Sequence, residues 1–329
     1  MISNKFFIAV SVLLVLLMTQ LAHAGHGQQA NHKTAFVLAM FGTTMEPALE
    51  GLLNIKRQIS KAYPDTPVKI AFTSNIIRRI WQQRSADPEY IKNHSSIPAE
   101  ILQAQGPLAT IANLQDKGFD TIIVQPTHIA LGEEFTDLSA YVAGLNSIKT
   151  IKPKFQPFHK LVISRPALGT VGSKHPYIDD ITAVAESLAL DAKFSAAQNA
   201  ALVYMGHGND YFPSGGSYLQ FEDRMRTMYP KVKTYIGTVE GFPCFDNVLA
   251  QLKKDQVKKV VLKPFMTVAG DHARNDMAGA DEDSWQSMLS RNNIEVIPVI
   301  RGLGEQNDFA MVFVSHLADA AADAGISLR

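Results

Sequence analysis

The stretch Val260-Val261-Leu262-Lys263-Pro264 is an apolar run that passes into a polar turn, Phe265-Met266-Thr267-Val268-Ala269-Gly270-Asp271-His272. The run predicts a buried strand that ends near Pro264. Open α/β sheets bind their ligands just beyond the carboxyl ends of parallel strands, and His272 follows such an end. We therefore predict that His272 is one ligand of a metal site and that the rest of the chain forms a cleft around it.

Short apolar runs alternate with helical patterns along the rest of the chain. Strands are predicted at residues 35–40, 68–72, 121–124, 161–166, 201–205, 234–239, 260–262 and 296–300. Helices are predicted at residues 46–63, 76–84, 98–117, 177–190, 220–228, 245–255, 284–291 and 308–324, with another that ends near residue 146. Apolar runs without alternation are typical of strands covered on both faces. The series predicts an α/β fold in which crossover helices join parallel strands.

Two domains are predicted within this series. Residues 34–155 form an N-terminal α/β domain, and residues 156–329 form a C-terminal α/β domain that carries most of the metal site. The connection between them, near residues 147–160, is rich in Lys and Pro, as suits a surface segment. The chain length is sufficient for two domains with separate cores.

The N-terminus has the three-part pattern of a secretory signal. Lys5 precedes the apolar run 6–18, and Ala22-His23-Ala24 has the small-x-small form of a cleavage site. We predict a signal peptide at residues 1–24, a flexible leader at residues 25–33 and a periplasmic location. The alternative, an uncleaved membrane anchor, is disfavoured because the apolar run is short for a full span.

The charge and cysteine content exclude several classes of protein. Lys and Arg number 31 and Asp and Glu number 31, so nothing indicates a nucleic-acid partner. No later segment is long enough to embed the chain in a membrane. Cys244 is the only cysteine, which excludes an intramolecular disulfide. The sequence also lacks the phosphate-loop, dinucleotide, serine-hydrolase and zincin motifs, so no nucleotide cofactor is expected.

The two halves share one short correspondence that bears on chemistry. Pro126 is followed eight positions later by Glu134, and Pro264 is followed eight positions later by His272. If the two strands are equivalent, Glu134 and His272 lie on opposite walls of one cleft. Chance is the alternative for so short a match.

Metal-capable side chains follow three predicted strands of the second half. His207 lies between two glycines that leave its imidazole open, Glu240 follows the strand 234–239, and His272 has acidic neighbours. Two imidazoles and a carboxylate suit a divalent ion such as cobalt, iron, nickel or zinc. Taken singly, His207 could instead cap a turn, and Glu240 could be a solvated loop carboxylate.

Several strings resemble the sirohydrochlorin cobaltochelatase of the anaerobic cobalamin pathway, in a periplasmic form. The strings are Phe41-Gly42-Thr43, Ala71-Phe72-Thr73-Ser74 with Ile77-Arg78, His128 with Gly132-Glu133-Glu134-Phe135, Met205-Gly206-His207-Gly208, Val239-Glu240, and Val268-Ala269-Gly270-Asp271-His272-Ala273 with Asn275-Asp276-Met277 and Asp283-Ser284-Trp285. The resemblance covers roughly residues 34–320, and the last string is the most specific. Two features depart from the usual cytoplasmic form: the secretory signal, and a longer Gly/Ser-rich stretch at residues 209–218.

The resemblance implies two Rossmann-like halves with a tetrapyrrole cleft between them, and ATP-independent insertion of Co²⁺ into sirohydrochlorin, with Fe²⁺ as a second candidate metal. It places the family's metal histidines on His207 and His272, and its cleft glutamates on Glu134 and Glu240. Our hypothesis is that His207, Glu240 and His272 hold the metal and that His207, Glu134 and His272 carry the catalytic roles. Neutral imidazole is needed both to bind the metal and to accept a proton. The alternative function is a non-catalytic periplasmic carrier of haem, tetrapyrrole or metal that keeps this fold. A solute-binding protein is a further alternative, but it gives no reason for the histidines.

Cationic side chains at the rim are expected to meet the substrate carboxylates. Arg78 and Arg274 are the main candidates, with Arg79 and Lys263 beside them, and ordinary surface cations are the alternative for each. His128 follows a buried strand and has three interpretations: it supports a ligand, it binds a metal or haem between subunits, or it is a packed histidine. The second of these leaves bound haem and a homo-oligomer as open expectations.

Overall fold

A computed structural model of the chain describes residues 32–209 and 214–328. The predicted signal peptide, residues 25–31 of the predicted leader and residues 210–213 of the Gly/Ser-rich stretch lie outside the described residues. Within the described ranges, no helix is both long enough and apolar enough to span a membrane.

Four parallel strands form the first sheet, in the order β2-β1-β3-β4. They are β1 (Thr34–Met40), β2 (Val68–Phe72), β3 (Thr121–Pro126) and β4 (Lys160–Ile163). Every residue of β1 after Thr34 is buried, which explains why its sequence is a continuous apolar run.

Four further parallel strands form the second sheet, in the order β6-β5-β7-β8. They are β5 (Ala201–Gly208), β6 (Thr234–Glu240), β7 (Lys259–Phe265) and β8 (Glu295–Pro298). The prediction of two parallel sheets flanked by helices is therefore confirmed.

Helices cover both sheets. They are α1 (Leu49–Ala62), α2 (Asn75–Ala86), α3 (Pro88–Asn93), α4 (Ala99–Leu102), α5 (Pro107–Asp116), α6 (Glu133–Asn146), α7 (Tyr177–Ser187), α8 (Ala189–Ala197), α9 (Gly215–Met228), α10 (Phe245–Lys254), α11 (Trp285–Arg291) and α12 (Asn307–Asp323). Short 3₁₀ turns lie at Glu46–Ala48, Pro153–Phe155 and Leu303–Glu305, and a π-helical turn lies at Ala273–Met277.

The single helix predicted at residues 98–117 is in fact two helices, α4 and α5. Between them the chain runs beside β2, where the backbone N–H of Phe72 donates to the carbonyl of Gln105 at 2.9 Å. Pro107 then begins α5, a position where its missing N–H costs nothing. Helical spacing of apolar residues both before and after residues 103–106 led to the prediction of one continuous helix.

The domain boundary predicted between residues 155 and 156 separates β4 from its own sheet. β4 pairs with β3, with Lys160 opposite Thr121, so the first sheet extends to Ile163. The closing helix α12 also returns to the first half, where it packs against α1 and β3. Residues 34–329 consequently form one compact unit rather than two separately closed domains.

The strand pairing of the two sheets has the same register. Leu38 of β1 lies opposite Gln125 of β3, and Tyr204 of β5 lies opposite Lys263 of β7. Both pairs are followed by a proline on the third strand of the sheet, Pro126 or Pro264. The correspondence predicted from the spacing after these prolines therefore reflects equivalent strands.

Candidate functional site

A cleft of about 310 Å³ lies at the carboxyl edges of the two sheets and receives side chains from both halves. Across it, the hydroxyl of Thr267 donates to the carbonyl of Thr127 at 2.7 Å, which ties the chain after β7 to the chain after β3. Four side chains of predicted or possible chemical importance line the cleft: His128, Glu134, His207 and His272. Glu134 and His272 thus share one cleft, as their equivalent spacing predicted.

His207 is the second-last residue of strand β5 and lies between Gly206 and Gly208. Gly208 has φ +79°, and a Cβ at that position would lie 1.8 Å from the carbonyl oxygen of Glu240. Only glycine fits there, since any side chain would collide with the backbone of β6. Nδ1 of His207 lies 3.1 Å from the carbonyl oxygen of Gly208. Because a carbonyl only accepts, Nδ1 carries the hydrogen in this contact and Nε2 keeps its lone pair.

His272 is held by the π-helical turn that follows it. Its Nδ1 lies 2.5 Å from the carboxylate of Asp276, one helical turn along the chain. A carboxylate beside one ring nitrogen fixes the tautomer and leaves the other nitrogen as a metal ligand. The sequence placed two acidic residues near His272, and the structure identifies Asp276 as the one that orients the ring. Asp271 instead accepts a hydrogen bond from the side chain of Asn275 at 2.8 Å.

The two imidazoles lie side by side, although they are far apart in the sequence. Their ring centroids are 4.8 Å apart, and the rings meet edge to face at 85°. Glu240 lies on the other side of His207, with 3.8 Å between its carboxylate oxygen and Nδ1 of His207. Glu240 is exposed and does not line the cleft, so it reaches the site only through His207.

These side chains do not form a closed metal site as they stand. Among residues 32–209 and 214–328, no three His, Cys, Asp or Glu side chains are arranged to hold a metal ion together. The imidazoles of His207 and His272 converge, but a third ligand has to move toward them.

A carboxylate from the first half and a phenol from the second half lie in the region around the histidines. Glu134 lies in the first turn of α6, where the helix dipole favours a negative charge. Tyr218 of α9 is buried beside Gly206. Burial, with a smaller effect of the Glu134 charge, raises the pKa of Tyr218 to about 12, so its hydroxyl stays protonated at neutral pH. No local pattern indicated Tyr218, because it lies in a helix and reaches the end of β5 only through the folding of the chain.

His128 lines the cleft but differs from the other two histidines in its surroundings. Neither of its ring nitrogens has a hydrogen-bond partner among the described residues, and both are buried. Burial lowers its pKa to about 4, so the ring is neutral at ordinary pH. A buried imidazole without hydrogen-bond partners is rare in folded proteins. The role of His128 stays a prediction.

Apolar side chains make up most of the cleft wall, and sequence reasoning missed them. They come from the chain after β1 and from α2 in the first half, and from the turn after β7 in the second half. Phe41, Ile76, Ile77, Ile80, Met266 and Val268 are the main ones. Ile76 is 70% exposed, which is unusual for a large aliphatic side chain beside a core. A surface-facing isoleucine at the start of a helix was the only available signal.

The cationic residues predicted at the rim have other partners or other positions. The guanidinium of Arg78 donates to the carbonyls of Phe72 and Thr73, the latter at 2.9 Å, and thereby fixes the end of β2. Arg274 has a buried Nε without a hydrogen-bond partner among the described residues, and it does not line the cleft. Indeed, no Lys or Arg belongs to the described lining of the cleft.

Lys263 lies inside the protein rather than at the rim. It is 4% exposed, and its Nζ contacts the carboxylate of Asp191 at 2.5 Å. Burial lowers its pKa, an effect that Asp191 opposes. The prediction that Lys263 lies near the substrate carboxylates was therefore wrong, because the side chain of a buried strand points into the core before the strand ends.

Comparison with known proteins identifies the family of this chain. Residues 34–322 match the model of the family described as cobalt chelatase (CbiK), and the chain belongs to that family. Two curated relatives are similar over 88% of the chain. One, named sirohydrochlorin cobaltochelatase CbiKC, is from Nitratidesulfovibrio vulgaris, is 28% identical and is covered over 90% of its length. The other, named sirohydrochlorin cobaltochelatase, is from Salmonella typhimurium, is 27% identical and is covered over 96% of its length.

Solved structures give a weaker likeness. A periplasmic binding ribose operon repressor protein from Lactobacillus acidophilus is 12% identical, with 90% of this chain and 92% of that chain covered and a TM-score of 0.35. A likeness of this size supports no statement about fold or function.

Proposed function

We propose that this chain inserts Co²⁺ into sirohydrochlorin without a nucleotide. The observation that carries the proposal is the pair of imidazoles of His207 and His272, 4.8 Å apart, which face an apolar cleft with their Nδ1 atoms already bonded. The family and its curated relatives support the substrate and the metal. An apolar wall suits the faces of a flat macrocycle, while its carboxylates would extend toward solvent.

Cobalt insertion requires a ligand set and two proton acceptors. One Co²⁺ enters the ring while two pyrrole N–H groups each lose a proton, so the charge balances. In our proposal Nε2 of His207 and Nε2 of His272 bind the incoming ion from one side. The carboxylate of Glu240, which lies on the Nδ1 side of His207, has to move toward the ion to complete the set. Glu134, on the facing wall, accepts one pyrrole proton and passes it to solvent.

The second proton has an acceptor in the same place. As the metal moves from the protein to the ring nitrogens, the lone pairs of His207 and His272 are released, and either imidazole is then free to take up a proton. Tyr218 does not serve as a base, because its hydroxyl stays protonated. Its place beside Gly206 supports the backbone that carries His207.

Turnover tests the proposal. The purified chain is mixed with a large excess of sirohydrochlorin and Co²⁺ in the absence of ATP, and the absorbance of the ring is followed. We expect many equivalents of cobalt-sirohydrochlorin per chain, because an enzyme releases its product and acts again. Product formation that stops at one equivalent would identify a tetrapyrrole or metal carrier instead of an enzyme. Replacing Co²⁺ with Fe²⁺ in the same assay ranks the two metals.

We also propose that the chain acts in the periplasm after loss of residues 1–24. The three-part pattern of the N-terminus supports this location. Fractionation of the native host, followed by N-terminal sequencing of the isolated protein, should find it in the periplasmic fraction with Gly25 as its first residue. Recovery from the cytoplasm with Met1 intact would overturn the proposal.

A further inference from the structure

An exposed loop with both apolar and basic side chains lies between α6 and β4. It spans residues 148–155, and we refer to it as the basic apolar loop. Ile151 is 102% exposed, Phe155 is 63% exposed and Ile148 is 41% exposed. Soluble proteins seldom present several large apolar side chains together on a surface without a use for them. The loop therefore requires an explanation that the cleft does not supply.

Lysines alternate with these apolar side chains. Lys149, Lys152 and Lys154 are all exposed, and none forms an ion pair with another described residue. Nζ of Lys154 lies 5.0 Å from the centre of the Phe155 ring. From residue 138 to residue 178 the sequence contains no Asp or Glu, so no carboxylate of this long segment offsets the charge. The basic apolar loop thus combines uncompensated positive charge with apolar tips.

The fold places this loop away from the cleft. Helix α6 begins at Glu133, near the cleft, and its 14 residues carry the chain about 20 Å toward the opposite edge of the sheet. Strand β4 then begins at Lys160, level with the first residues of β3 and β1. The basic apolar loop consequently lies at the amino edge of the first sheet, and the cleft opens at the carboxyl edge.

We propose that the basic apolar loop docks this protein on the surface of an anionic lipid bilayer. Lysines near such a surface are attracted to its charge, and exposed aliphatic and aromatic side chains enter the boundary between head groups and acyl chains. A fully exposed tip such as Ile151 suits a deformable lipid interface, whereas a protein partner would need a matching cavity. Docking at the amino edge leaves the cleft open and facing away from the membrane.

Flotation with lipid vesicles tests this proposal. The full chain is mixed with vesicles of phosphatidylcholine, with or without phosphatidylglycerol, and the vesicle-bound fraction is measured. We expect binding only with phosphatidylglycerol. The Ile151→Asp variant should bind at least about tenfold more weakly, and the combined Lys149→Gln, Lys152→Gln and Lys154→Gln variant about 100-fold more weakly.

A matched control comes from the other edge of the first sheet. Val171 is 86% exposed in the segment after β4, so Val171→Asp introduces the same charge on another highly exposed aliphatic residue. This variant should bind vesicles like the unaltered chain. All the variants should keep cobalt-insertion activity, so that failure here is distinguishable from failure of the proposed function.

Three results would overturn the proposal. They are no binding of the unaltered chain to anionic vesicles, equal binding of the chain and the loop variants, and a dimer in light scattering that Ile151→Asp converts to a monomer. The last result would identify the loop as a contact between two copies of the chain.

Discussion

The carboxyl edges of the two sheets are built on the same backbone but carry different chemistry. In the shared register, Phe41 occupies the place in the first half that His207 occupies in the second half. Each is followed by a glycine with positive φ, +97° at Gly42 and +79° at Gly208. An aromatic hydrocarbon thus stands where its equivalent is a metal-capable imidazole.

Two further pairs extend the contrast. The equivalent of Glu240 on the second strand is Ser74, whose hydroxyl caps α2 instead of facing a metal. The equivalent of His272, by its spacing from the proline, is Glu134. In our proposal the second half therefore supplies the metal ligands, while the first half supplies much of the apolar wall and one carboxylate. The two sheets share their strand pairing and register, and they differ in a few side chains at the strand ends.

The largest expected effect on the rate of cobalt insertion comes from replacing His207 with phenylalanine, the residue found at the equivalent position 41 of the first half. His207→Phe should reduce the rate of cobalt insertion about 1000-fold, because it removes a metal ligand and a proton acceptor together. Phe41→Leu, at the equivalent place, keeps an apolar wall and should cost less than about tenfold. Initial rates of both variants, with circular dichroism to confirm folding, measure the difference. Equal losses would mean that the two edges do not differ in chemistry.

The next effect concerns the buried residues that precede the two prolines. Lys263→Met should lower the free energy of unfolding by about 4 kcal/mol, because the buried carboxylate of Asp191 would lose its cation. Its equivalent Gln125 is uncharged and donates to the carbonyl of Pro126 at 2.7 Å, so Gln125→Met should cost only about 1 kcal/mol.

Urea unfolding of both variants provides the measurement, and the added change Asp191→Asn should recover most of the loss in Lys263→Met. A loss in Lys263→Met no larger than that in Gln125→Met would show that the buried pair does not stabilise the second half.

A third effect depends on pH and belongs to the first half. His128 has a pKa of about 4 in the folded chain and an ordinary value of 6.5 when unfolded. Between these values the unfolded chain binds the extra proton, so stability falls as the pH drops from 6.5 toward 4. The full loss from this group is about 3 kcal/mol.

Unfolding of the chain and of His128→Leu, measured at several pH values, isolates this contribution. The variant should show the smaller loss of stability over the same range. Parallel curves for the two proteins would mean that His128 is not buried in its neutral form.

Smaller effects are expected at the two glycines with positive φ. Gly208→Ala should destabilise the chain by about 2 kcal/mol or more, since the new Cβ meets a backbone carbonyl that cannot move aside. Gly42→Ala meets the side chain of Phe72 at 3.0 Å, which can shift, so its cost should be nearer 1 kcal/mol. Thermal unfolding compares the two, and a reversed order would contradict the assigned backbone geometry.

The smallest expected effect is at the carboxylate of the first half. Glu134→Gln should slow cobalt insertion about tenfold. Water can then accept the pyrrole proton in place of the carboxylate, but it is a weaker base. Glu133 is exposed in the same helical turn and does not line the cleft, so Glu133→Gln is the matched control and should be unchanged. A full rate in Glu134→Gln would remove Glu134 from the proposed mechanism.

Much of this organisation could be predicted from sequence because strands and strand ends leave local patterns. The apolar runs located all eight strands of residues 32–209 and 214–328, and the glycines around His207 indicated an exposed ring. No local pattern predicted which elements distant in the sequence pack against each other. Neither the return of α12 to the first half nor the pairing of β4 with β3 is visible in composition, because both depend on which surface remains to be covered. The burial of Lys263 was likewise hidden, since its partner Asp191 lies far away in the sequence.

Binding of Co²⁺ in the absence of tetrapyrrole tests the division between the halves most directly. Titration calorimetry with the unaltered chain and Phe41→Leu should show one ion bound per chain. His207→Phe and His272→Phe should each lose that binding while they remain folded. Unchanged Co²⁺ binding in both histidine variants would contradict the assignment of the metal to the second half.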